Sequence, residues 1–108
     1  MIDAYGSLME LSYKKKRRPF EFSDKTRQIA REKAGFGEDE YCEVHHKMQV
    51  AVAMRLGLPP ELVRSPENAI ALTHDEHFNM HNFKMSDRYI ADMINEFVDT
   101  FPEVASLI

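Results

Sequence analysis

Asn68-Ala69-Ile70-Ala71-Leu72-Thr73-His74-Asp75-Glu76-His77-Phe78-Asn79-Met80-His81 is the stretch whose reading decides the fold. Its first five residues form a short apolar run between turn formers, which predicts a strand. Thr73 and Glu76 then stand at capping-box spacing, so a hydroxyl and a carboxylate can satisfy the first free N–H groups of a helix over about 74–84. On that helix His77 and His81 lie four apart, stacked one turn from each other, the spacing at which two imidazoles reach one metal ion. The pair alone fits two ordinary surface or half-buried histidines better, so its meaning depends on the residues around it.

Upstream, Tyr41-Cys42-Glu43-Val44-His45 alternates and predicts a second short strand that can pair antiparallel with the first. In an extended chain Glu43 and His45 share one face, while Cys42, Val44 and His46 share the other. The adjacent histidines therefore cannot easily bind one ion together. One can be a ligand and its neighbour a general base, since an imidazole titrates near neutral pH. Asn68 alone would pass for a turn former, but its amide can accept and donate at once and so hold a loop in place. Between the strands, residues 47–56 predict a helix stopped by Gly57, and Pro59, Pro60 and Pro66 break the chain beyond it.

Ser23 is a good N-cap and Gly35 a stop, predicting a helix over 24–34. Before it, residues 1–20 read as a basic arm carrying Lys14, Lys15, Lys16, Arg17 and Arg18. At the other end Ser86 can cap a helix of about 86–100, whose Tyr89, Ile90, Met93, Ile94, Phe97, Val98 and Phe101 repeat at 3, 4 spacing and predict core. The expected class is α+β, mainly helical, with residues 21–108 as one domain.

The chain has 108 residues, 44% apolar and 30% charged, enough for one core without disulfides, and its single Cys42 can form none internally. No apolar run approaches the ~20 residues that span a bilayer, and the N-terminus lacks the order of a secretory signal, so a soluble protein with no membrane partner is expected. The net charge of −4 hides a partition: residues 1–34 hold nine Lys/Arg against five Asp/Glu, and residues 35–108 hold five against thirteen. A positive field concentrated in the first third suits a nucleic-acid partner that the net charge would argue against.

Taken together, Glu43-Val44-His45-His46, Asn68-Ala69-Ile70 and Thr73 to His81 resemble the His-Asn-His motif of the HNH endonucleases, the ββα-metal fold. The likeness is strongest to the colicin-type DNase branch, where an E-L-H-H strand precedes a D-N-I strand start and an H-x-x-x-H helix begins nine residues after the asparagine, as His77 does here after Asn68. The motif core would span about 41–84.

The resemblance implies that His45, His77 and His81 hold one divalent metal ion, that His46 is the general base, and that Asn68 positions the loop carrying His46. It gives Glu43 the supporting acidic position, where its carboxylate could fix a ligand tautomer. Zinc, nickel, manganese or magnesium could be the ion, with imidazoles favouring the borderline metals. It also implies phosphodiester hydrolysis, with DNA as the expected substrate, in the cytoplasm of a bacterial cell or phage-infected host. Lys14 to Arg18, with Arg27 and Arg31 on one helix face, would contact phosphates, and His74 would be exposed or a spare phosphate donor. Many family members carry two C-x-x-C knuckles; here Thr73 and Glu76 replace the second and Cys42 stands alone, so no structural zinc is expected. Two other readings stand beside this one. A degenerate HNH fold could bind DNA or protein without cutting, and a small helical interaction protein could carry its histidines by chance.

Overall fold

Ser23 caps the first long helix as its sequence predicts: its backbone is extended and its Oγ accepts the Thr26 N–H at 3.1 Å. Helix α1 (Asp24–Lys33) ends at Ala34, and Gly35 turns the chain away at a φ of +81°. This is a computed structural model, and it describes residues 14–76 and 87–108.

Strand β1 (Glu43–His46) pairs antiparallel with β2 (Ala69–Leu72), with Glu43 opposite Leu72 and His46 opposite Ala69. The expected hairpin is therefore present. Its first strand is shifted: pairing begins at Glu43 and takes in His46, because the register offers no partner beyond Leu72. Asn68 does not open β2. It closes a 3-10 turn, Pro66–Asn68, in front of it.

The connection between the strands holds α2 (Val50–Leu56), stopped by Gly57 at a φ of +68°, and the single turn α3 (Pro60–Val63). A helix was expected from residue 47. It starts at Val50: Lys47 continues the strand pairing through its N–H to Asn68 O at 2.8 Å, the Met48 carbonyl accepts from the Asn68 amide at 3.3 Å, and Gln49 caps the helix with an extended backbone.

Two apolar clusters divide the molecule. In the smaller, Phe22 and Ala30 meet Ala69 and Ala71, with Cys42 and Val44 at the edge. Small side chains on both partners let α1 lie close against one face of the hairpin. In the larger, Phe20, Met48, Val50, Ala53 and Val63 pack with Met93 and Phe97 of α4 (Asp87–Thr100) and with Val104 of the closing 3-10 segment, Pro102–Leu107. The expected apolar stripe of α4 is thus core, except that Tyr89 remains 37% exposed.

Residues 14–17 are helical and run into a 3-10 turn, Arg18–Phe20, whose Phe20 is buried in the larger cluster. The basic run expected as an arm is therefore anchored to the body. Residues 74–76 are helical, with Thr73 and Glu76 bonded reciprocally: Thr73 N–H to Glu76 Oε1 at 3.0 Å, and Glu76 N–H to Thr73 Oγ1 at 3.1 Å. The fold is α+β and mostly helical around a two-stranded antiparallel hairpin. Among the described residues no helix is long and apolar enough to cross a membrane.

Candidate active site

The pleat of β1 separates the two adjacent histidines. Val44 and His46 face α1, while Glu43 and His45 face away. His46 stacks on Phe22, with ring centroids 3.8 Å apart and planes 16° from parallel. Its Nε2 lies 2.7 Å from the carbonyl oxygen of Phe20. A carbonyl only accepts, so Nε2 carries the ring proton and Nδ1 keeps its lone pair. Burial pushes the His46 pKa below the usual imidazole value. The Phe20 carbonyl opposes that shift, and the charges of Arg17 and Arg27 add to it. The sequence signal for this seat is Pro19-Phe20-Glu21-Phe22, two aromatics flanking one acid, which lies outside the His-Asn-His motif and so goes unread by it.

Asn68 is 2% exposed and both ends of its amide are engaged. Oδ1 accepts the Met48 N–H at 2.7 Å, and Nδ2 donates to Val63 O at 2.7 Å and Met48 O at 3.3 Å. Its backbone carbonyl accepts from Lys47. The loop leaving His46 is therefore held at Lys47 and Met48 by this one residue.

On the opposite face, Glu43 Oε1 accepts the Tyr41 hydroxyl at 2.8 Å and lies 3.3 Å from His74 Nδ1. The carboxylate raises the Tyr41 pKa by accepting a hydrogen bond from its phenol and by its negative charge. His74 is exposed, and its contact sets the first turn after β2 beside the face that carries His45. The Nε2 atom of His45 is shielded from solvent. His77 and His81 lie outside the described residues.

Although they face apart, His45 and His46 line one small cleft together with Arg17, Gln49, Val50 and Ala51. The cation in it comes from the basic run. Lys14, Lys15, Lys16 and Arg18, its neighbours in the chain, are exposed, and Arg27 is exposed on α1. Arg31, also expected to contact phosphate, is turned into the loop after α1. Its guanidinium donates to Cys42 Sγ at 2.9 Å, Gly37 O at 2.9 Å and Glu40 O at 2.6 Å, stapling the loop between α1 and β1.

No known protein family, curated protein or solved structure matches the chain.

Proposed function

We propose that this chain is a metal-dependent endonuclease of the HNH type, with a ββα-metal core, hydrolysing phosphodiester bonds in DNA. The observation that carries the reading is His46 itself. Its ring is stacked, its tautomer is fixed by the Phe20 carbonyl, and it lines one cleft with His45 and Arg17. A neutral imidazole with an accepting Nδ1 is what a general base needs. His46 takes the proton of the water that attacks phosphorus, Arg17 binds the phosphate beside it, and Asn68 keeps the loop after His46 from drifting.

The donor set suits a divalent ion. His45 lies on the strand face reached by the turn at residues 74–76, and the helix predicted to continue from that turn carries His77 and His81 at i, i+4. His45, His77 and His81 would hold the ion, which when bound supplies Lewis-acid charge to the phosphoryl and leaving oxygens. Imidazoles favour zinc or nickel over magnesium, which prefers oxygen. Lys14, Lys15, Lys16, Arg18 and Arg27 add phosphate contacts that position the duplex without reading it.

The test is cleavage of supercoiled plasmid with added nickel, zinc, manganese or magnesium, against an EDTA control. Metal-dependent nicking or linearisation, lowered about 100-fold or more in His46→Ala, is expected. Binding of the same plasmid without cleavage under every metal would overturn the enzyme reading in favour of a binding module.

A further inference from the structure

Gln49 lines the cleft of His45 and His46, whose wall is completed among the described residues by Arg17, Val50 and Ala51. The cleft holds about 80 Å³, room for a few waters beside one edge of a phosphate and too little for a nucleotide. Gln49 is half-buried there.

The fold gives no reason for glutamine at this position. Gln49 is the N-cap of α2 and has the extended backbone that a cap needs, yet its side chain makes no capping hydrogen bond. Ser, Thr, Asp or Asn would supply that bond, as Ser23 does at α1. A residue that forgoes a local gain beside a candidate site points to a task in that site. Its backbone is also fixed on both sides. Met48 before it is held by the Asn68 amide at 2.7 and 3.3 Å, and the Gln49 carbonyl accepts the Ala53 N–H at 3.0 Å. An amide on so firm a base is pre-organised.

A water that attacks phosphorus must lose one proton and keep its lone pair aimed. With one proton directed at His46 Nδ1, the water still turns about that hydrogen bond unless its second proton also has an acceptor. Arg17 can only donate, Val50 and Ala51 offer no polar side-chain atom, and His45 is assigned to the ion. The side chain left to accept is that of Gln49. We propose that Gln49 orients the attacking water for His46, an inference that rests on the nuclease reading. The water oxygen bonds to phosphorus while one of its protons passes to His46 Nδ1. The other proton stays on that oxygen, held by Gln49 Oε1. The bond from phosphorus to the leaving oxygen breaks, and that oxygen departs with the electron pair and takes up a proton from bulk water. A carboxamide serves water-directed attack on phosphorus in the same sense elsewhere.

The test is single-turnover cleavage of supercoiled plasmid, with a metal that supports the wild-type reaction, by Gln49→Met, His46→Ala and the double variant. Gln49→Met keeps the length of the side chain and removes the acceptor. Its rate at saturation is expected to fall about 10- to 100-fold, while half-saturation by DNA and its salt dependence stay those of the wild type. In the His46→Ala background the same change is expected to lower the rate by less than about 3-fold, because an oriented water is of little use without its base. Gln49→Ser separates this role from a structural one. Serine can cap α2, so Tm is expected to hold or rise while the rate falls as far as in Gln49→Met. A wild-type rate in either variant, a loss confined to DNA affinity, a Tm that falls with the rate in both, or an undiminished effect in the His46→Ala background would each overturn the proposal and leave the nuclease reading standing. Absence of metal-dependent cleavage by the wild type would overturn both.

Discussion

A carbonyl oxygen can only accept, so the contact between Phe20 O and His46 Nε2 decides which ring nitrogen is left to take a proton. Burial lowers the pKa of that ring, and a divalent ion on the neighbouring histidine would lower it further. The base form therefore persists to lower pH than an ordinary imidazole of about 6.5. The acid limb of log(kcat/KM) against pH is expected below that value, and a limb at or above it would contradict the seat described. Stability has the same sign. A histidine with a depressed folded pKa contributes fully above its unfolded pKa, and that contribution is lost as pH falls toward the folded one. In EDTA-treated protein, Tm is expected to fall as pH drops below the ordinary imidazole value of about 6.5, and less so in His46→Gln. Asn68 makes a second prediction at this scale. Asn68→Ala leaves buried Met48 and Val63 backbone groups without partners, each costing about 1–3 kcal/mol, so urea unfolding should show a loss of about 3 kcal/mol or more. Its loop-holding capacity was legible from amide chemistry. That Val63 would be one of its partners was not, because only the turn of α3 brings that carbonyl to it.

At the level of elements, the signals that worked were those that name a specific bond. Ser23 at the start of α1 and Thr73 with Glu76 after β2 each predicted a side chain to N–H contact, and each contact is present. The boundaries that moved did so because a tertiary bond competed: α2 begins late because Asn68 holds Lys47 in the strand pairing and takes the Met48 carbonyl that a helix would use. The reciprocal cap predicts that Thr73→Ala lowers stability by about 0.5–2 kcal/mol in a denaturant titration. The Thr73 N–H and hydroxyl hold the Glu76 carboxyl below the usual carboxylate range. Its contribution is therefore present above the unfolded carboxylate pKa and lost as pH drops through the folded one. Since this turn is closed by its own side chains, EDTA should leave the far-ultraviolet circular dichroism native; collapse of the helical signal on chelation would contradict a cap-held turn. Arg27 and Arg31 look equivalent in sequence, four apart on one face, yet only Arg31 is turned into the loop. Arg31→Ala should lower Tm, whereas Arg27→Ala should leave Tm unchanged and weaken DNA binding.

Over the whole molecule, the charge partition was legible from the order of charges along the chain, but the position of the positive part was not. What fixes it is Phe20, an aromatic next to the last basic residues that buries in the larger cluster and pulls Arg17 into the cleft of His45 and His46. On the proposed reading, the basic run would serve binding at the site instead of trailing from it. Lys14, Lys15, Lys16 and Arg18 are exposed, so replacing all four by Gln should leave folding intact, while Arg17 and the histidines stay in place. Removing one cation that neutralises a phosphate lowers the slope of log K against log salt by about 0.9 for duplex DNA. If two to four of these side chains meet phosphate, the slope should fall by about 2 to 4, with affinity falling mainly at low salt. Single-turnover cleavage at saturating DNA should change little, because the residues assigned to proton transfer and to holding the loop are untouched. A large drop in that rate with an unchanged salt slope would place the four cations in the chemistry and out of substrate capture.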